Sequence, residues 1–326
     1  LGLRYLAGGN HEEGFCTRRQ AEEACRSAGL TQADFYYPVP DHRMPISVYS
    51  DRYLPGKGEI TSSSVSYDSP RYACLNEEEV FDRLIEEEDF GRFSNSFLII
   101  ASRDGGQENT IFAKYNRTRR EEFRIRTSIR ELEGERRVEK AALGRAGSIH
   151  ILSLRKKYQQ LSRLNPRVRI LEPEISVDGS KVEFRYLKGI TLAERLGQGI
   201  RDGKAPVEDI KAGLAFLYDV PEDQIVPFAV TPEFTDIFGT VPDLEDFSYK
   251  VSNIDGLFEN LMITEMDGRE QLYCLDYEWV FDFPVPARFV QYRNLAYFYY
   301  KYQGLMSYSS LEEFLQEFGI GSGLAS

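Results

Sequence analysis

The chain has little with which to bind zinc. Its four cysteines, Cys16, Cys25, Cys74 and Cys274, stand far apart without a Cys-x-x-Cys pair, and only three histidines accompany them. This usage fits reduced thiols in a cytoplasmic protein better than a metal knuckle or a disulfide framework. Nor does any apolar run approach the ~20 residues that a bilayer-spanning helix needs, so no transmembrane segment is expected. No initiator Met and no secretory signal open the sequence, and Leu1 begins inside a patterned segment. The chain therefore reads as a piece of something longer, with a parent chain or a second copy as its expected protein partners.

What is present describes a globular protein. At 326 residues, 42% hydrophobic and 28% charged, there is enough chain for two or three domains. The net charge of −12 is unevenly spread: Lys114 to Arg169 is basic, whereas Asp209 to Asp282 is acidic. The basic stretch lies on expected strands and a helix with no interleaved aromatic platform. A solvated face or a polyanionic small substrate accounts for it better than nucleic acid does, and no nucleic-acid partner is expected.

The informative stretch is Ser252 to Trp279, SNIDGLFENLMITEMDGREQLYCLDYEW. Two short apolar runs, Leu261 to Thr264 and Gln271 to Leu275, flank an Asp267-Gly268 turn signal and predict a hairpin. A loop bearing Asp255 and Asn260 precedes it, and Asp276 and Glu278 follow it. Such a hairpin returns both polar groups to one end. Phosphoryl transfer needs a carboxylate to accept the proton of the attacking hydroxyl, and an Asn and an Asp to hold magnesium against the phosphates. Asp and Asn are also common turn residues, so the Asp-x-x-x-x-Asn spacing alone carries little.

The order loop Asp, Asn, strand, turn, strand, Asp resembles the core of the protein-kinase-like fold in its choline kinase and aminoglycoside phosphotransferase branch. Asn253-Ile-Asp255-Gly-Leu-Phe-Glu-Asn260 and Leu275-Asp276-Tyr277-Glu278 match its motifs, with Asn253 where the family has His. The resemblance implies an α+β, bilobal fold with a β-rich N-lobe over 91–190 and a helical C-lobe over 191–326. It implies Asp255 as the base, Asn260, Asp276 and Glu278 as metal-side residues, and ATP with Mg2+ as cofactors. A small-molecule or glycan hydroxyl would be the acceptor.

Within that frame, SNSFLIIAS and NTIFAKYN are expected to form a hairpin whose turn, at Asp104-Gly105-Gly106, would cover the phosphates. Glycine there lets backbone amides approach oxygen. FRIRTSIREL and RRVEKAAL form a second hairpin around Glu133-Gly134-Glu135. A helix follows from Arg145 to Leu164, then the strands RVRILEPEI and KVEFRYL, joined at Asp178-Gly179. Lys140 resembles the phosphate-holding lysine, with Lys114 as its rival; a solvated strand lysine is the ordinary fate of either. Tyr186 and Leu187 would present backbone groups to adenine. Thr191 to Glu194 is a capping box that starts a helix whatever the function.

The helix Arg145 to Leu164 holds no Asp or Glu, so the family's lysine-pairing glutamate is missing. Either the lysine pairs elsewhere, with Glu139 or Glu172, or the register differs, or catalysis has been lost. In the last case the chain would be a kinase-like binding or scaffold module.

Residues 1–90 read as a strand, a helix capped by Thr17 and stopped by Gly29, and two extended segments. They resemble the last third of a class I S-adenosylmethionine methyltransferase, followed by a linker. The Gly-rich loop and acidic ribose ligand of that family are absent, so S-adenosylmethionine would bind only if sequence upstream of Leu1 supplies them. A methyltransferase end followed by a kinase-like unit resembles bifunctional proteins that modify a surface polysaccharide terminus.

Overall fold

A computed structural model describes residues 17–60, 76–105, 108–204, 206–240 and 244–321. The expected strand at Leu1 to Gly9, the Ser-rich linker from Thr61, Cys16, Cys74, Gly106 and the last five residues lie outside them. The fold class is α+β, with one strand-rich and one mainly helical compact unit. The units comprise Leu1–Ile151 with Ser176–Glu183, and Leu152–Ile175 with Phe184–Ser326. No helix among the described residues is long and apolar enough to cross a membrane.

In the first unit a sheet runs in the order Leu98–Ser102, Gln32–Val39, Ser47–Ser50, Thr110–Tyr115, Ile125–Leu132, Glu135–Ala142, Lys181–Arg185. Its second hairpin turns where expected, at Glu133 (φ 52°) and Gly134 (φ 81°). Both central residues are left-handed, as a two-residue turn matched to strand twist requires. Two expectations are corrected. Leu98–Ser102 and Thr110–Tyr115 are not hairpin partners, because Gln32–Val39 and Ser47–Ser50 stand between them. The pairing also crosses residue 90: the helix Arg18–Ser27 and the two strands after it exist as expected, but those strands join their successors in one sheet. They bury an aromatic core in which Tyr37 and Tyr49 meet Phe90 edge-on.

The second unit is built on the expected hairpin, Leu261–Met266 against Arg269–Cys274. Asp267 (φ 54°) and Gly268 (φ 70°) close it. Ile190–Thr191 pairs with its first strand, and Val168–Ile170 runs parallel to its second. RVRILEPEI thus gives its first half to this sheet, a further correction, while its end, Glu174–Ile175, pairs with Lys181–Arg185 across the Asp178-Gly179 turn as expected. At Gly189 the chain passes so close to the hairpin that a Cβ would lie 2.1 Å from the Ile263 carbonyl oxygen. Only glycine permits that approach. Thr191 then caps the helix Leu192–Arg201 through a reciprocal bond with Glu194. Helices Pro206–Tyr218, Ala287–Tyr302 and Leu311–Gln316 follow. Phe258 and Phe298, each about 1% exposed, pack edge-to-face in the core.

Candidate active site

The hairpin register decides where the polar residues go. Leu261 faces Cys274, and the Leu275 amide donates to the Asn260 carbonyl at 2.8 Å. The end of the loop and the start of the Asp276 segment are therefore adjacent. Asn253 joins them again from its side chain. Its Oδ1 accepts from the Asp255 amide at 3.1 Å, while its Nδ2 donates to the Asp276 carbonyl at 3.3 Å. The Cys274 thiol donates to the same carbonyl at 3.3 Å. One carboxamide thus ties the backbones of the two acidic residues together, which an imidazole in the same place would do with its two ring nitrogens.

Asn260 is oriented by its own loop. Its Nδ2 donates to the Asp255 carbonyl at 2.9 Å, so of its two polar atoms the oxygen is the one able to meet a cation. Asp276 Oδ1 accepts from the Glu278 amide at 3.3 Å, and Glu278 is only 2% exposed. Carboxylate and amide oxygens are the donors magnesium prefers. Among the described residues no three His, Cys, Asp or Glu side chains form a metal cage. Magnesium bound by one or two protein groups and completed by phosphate oxygens needs none.

Two helices contribute residues that the sequence reading did not single out. From Ala287–Tyr302, Arg293 lies 3.7 Å from the Asp255 carboxylate and donates to the Ile254 carbonyl at 3.2 Å. Its neighbour Asn294, 1% exposed, accepts from the Phe258 amide at 2.9 Å and donates to the Gly256 carbonyl at 3.0 Å. From Ser148–Leu164, Lys157 donates to the Glu278 carbonyl. Burial pushes the Lys157 ammonium down to about 8, against the raising pull of Glu278, Asp255, Asp276 and Asp282. The preceding Lys156 pairs with Asp282 at 2.6 Å. Lys157 was legible in one respect. It falls between Leu154 and Leu161 at helical spacing, a charge in an otherwise apolar stripe that a solvated lysine has no reason to occupy.

Of the remaining expected residues, Tyr186 and Leu187 lead into the close approach at Gly189, where the Lys188 carbonyl accepts from the Thr264 hydroxyl at 2.8 Å. Lys114 and Lys140 belong to the strand-rich unit. Both pair with Thr127, so the two rivals stand in one row on one sheet face, about 10 Å apart at the usual strand spacing. Lys140 is 7% exposed and Lys114 is exposed, which separates Lys140 from a solvated strand lysine. Alternation sends its neighbour Glu139 to the other face. There Glu139 is bound by Arg126 at 2.6 Å and by Lys181 at 3.2 Å. Gly105 has φ 68° in the segment after Leu98–Ser102.

No protein-family model matches the chain, and no curated protein matches it. Among solved structures it is similar to the macrolide 2'-phosphotransferase MphH of Brachybacterium faecium, at 14% identity and a TM-score of 0.31, over 65% of this chain and 80% of that one. A type I macrolide 2'-phosphotransferase gives 12%, 0.32, 65% and 79% in the same order. A thermostable mutant of the aminoglycoside phosphotransferase APH(4)-Ia gives 13%, 0.30, 60% and 81%. Likenesses this distant leave the functional reading to the side chains.

Proposed function

We propose that this chain is a kinase-like phosphotransferase, moving the γ-phosphoryl group of ATP to a hydroxyl on a small molecule or glycan precursor. The observation that carries the reading is the Asn253 carboxamide. It bridges the Asp255 amide and the Asp276 carbonyl and so holds the backbones of the two acidic residues side by side. Asp255 accepts the proton of the attacking hydroxyl, with Arg293 as its fixed counter-charge. Asn260 and Asp276 would hold magnesium, which when bound neutralises charge on the phosphates. Glu278 braces the Asp276 turn through its amide. For the nucleotide, Lys140 remains the candidate for the α- and β-phosphates, Gly105 and Gly106 the candidates for a covering turn, and Tyr186 and Leu187 those for backbone groups facing adenine. Little covalent chemistry is asked of the protein; positioning and charge do the catalysis.

The missing helix glutamate favours a second reading, a nucleotide-binding module without turnover. One experiment separates them. The single tryptophan, Trp279, accepts the Ile254 amide at 3.1 Å, so its fluorescence reports on this loop. Titration with ATP in the presence and absence of Mg2+, followed by measurement of ATP consumption with polyol, amino-alcohol and glycan acceptors, is the test. Magnesium-dependent binding with acceptor-stimulated turnover that Asp255→Asn abolishes supports the enzyme. Binding without turnover selects the module, and no nucleotide binding rejects both. The methyltransferase resemblance adds nothing to this activity, because the strands that suggested it pair into the same sheet as Leu98–Ser102 and Thr110–Tyr115.

A further inference from the structure

Four strands of the strand-rich unit carry one polar row between apolar neighbours. Ser47 stands opposite Lys114, Lys114 opposite Thr127, and Thr127 opposite Lys140. Directly paired residues share a face of the sheet, so hydroxyl, ammonium, hydroxyl and ammonium follow one another in a line. Phe112, Ile129 and Val138 form the row on one side of that line, where the Phe112 ring meets Tyr49 at 5.1 Å. Ile125 and Ala142 flank Thr127 and Lys140 on the other side. Every side chain in the polar row can donate a hydrogen bond, and none carries negative charge.

Such a row selects a linear polyanion. Along the line an anion finds a donor for its oxygens at each strand; across the line it meets apolar side chains and loses hydration without replacement. Lys114 and Lys140 stand about 10 Å apart at the backbone, and each carries its charge on a flexible four-carbon stem. The two ammoniums can therefore close on both ends of a chain of three phosphates, with the Thr127 hydroxyl beneath its middle. We propose that Lys114 and Lys140 act together rather than as rivals. With Lys140 at the α- and β-phosphates, the triphosphate runs along the row and Lys114 meets the γ-phosphate, which makes Lys114 the residue that distinguishes ATP from ADP. The inference rests on the phosphotransferase reading and deepens it.

The test is a comparison of affinities. The whole chain is dialysed to equilibrium against ATP, ADP, AMP or inorganic tripolyphosphate in Mg2+, for the parent, Lys114→Met and Lys114→Arg. Lys114→Met should weaken ATP by about tenfold or more, the worth of one hydrogen bond between charged groups, while ADP stays within about threefold and AMP is unchanged. Lys114→Arg, which keeps the charge, should stay near the parent, and tripolyphosphate should follow ATP in its dependence on Lys114. Equal losses for all three nucleotides in Lys114→Met, or no loss for ATP, overturn the inference and leave the phosphotransferase reading standing. A parent that binds tripolyphosphate but no nucleotide makes the row a seat for free polyphosphate and removes the nucleotide from it. A parent that binds neither rejects the phosphotransferase reading itself, and this inference with it.

Discussion

Asn294 offers the sharpest test of how the loop is held. Its side chain satisfies two backbone groups of the Asp255–Asn260 loop, the Phe258 amide and the Gly256 carbonyl. In Asn294→Ala both backbone groups lose their partner in a place that is 1% exposed. An orphaned buried polar group costs about 1–3 kcal/mol, so the pair costs roughly 2–6 kcal/mol, a large share of the ~5–15 kcal/mol that holds a domain together. Asn294→Asp keeps the acceptor for Phe258 but turns a carboxylate oxygen on the Gly256 carbonyl, and it should be no milder. The assay is urea unfolding followed through Trp279 emission, with magnesium-nucleotide affinity measured on the same samples. Both variants should lower the midpoint, and at low urea weaken nucleotide binding. An Asn294→Ala protein within ~0.5 kcal/mol of the parent, with unchanged affinity, would refute the claim that this amide fixes the loop.

Further outcomes follow from the same geometry. Asp255→Asn should lower turnover by about a hundredfold or more, the ordinary worth of a general base, while nucleotide affinity stays near that of the parent in an equilibrium titration. Gly189→Ala drives a Cβ into the Ile263 carbonyl; it should cost at least the ~1–3 kcal/mol of overpacking and show as a lowered thermal midpoint. Glu139 gives the strand-rich unit a pH signature. Burial raises its carboxyl pKa, but the Lys181 and Arg126 hydrogen bonds and charges outweigh that and hold it below the ordinary range. A depressed carboxylate contributes stability above its unfolded pKa of ~4.3 and loses it as pH falls through the folded value. Acid titration of the far-ultraviolet signal should therefore fall away below pH ~4.3, more gradually in Glu139→Gln, which starts less stable at neutral pH. Chelation of divalent ions should abolish the nucleotide-induced change in Trp279 emission without altering the circular dichroism spectrum.

Local chemistry made part of this fold readable. Asp267-Gly268 closes the hairpin because both positions are left-handed, and the apolar alternation on either side then sets a register that returns Asn260 to Leu275. Thr17 and Thr191 announce their helices through the glutamine or glutamate three residues on. The misread elements depend on distant partners. Arg103 to Gln107 has the composition of a tight turn, yet Leu98–Ser102 finds Gln32–Val39 some sixty residues earlier. Val168–Ile170 finds its parallel neighbour at Leu272 to Cys274, about a hundred residues later. The same limit applies to the site. Asp255, Asn260 and Asp276 lie within one stretch and could be read together, whereas Lys157, Arg293 and Asn294 arrive on helices whose facing requires the packing to be known.

Asn253 has a consequence for the conditions under which the loop keeps its shape. A carboxamide has no proton to gain or lose in water between mildly acidic and mildly basic conditions. The two bonds it makes, to the Asp255 amide and the Asp276 carbonyl, therefore survive a drop from pH 7.5 to 5.5. An imidazole in that role would take up a proton over the same range, with its ordinary pKa of ~6.5, and lose its acceptor nitrogen. The pin that ties the two acidic residues together is therefore indifferent to acid over that range.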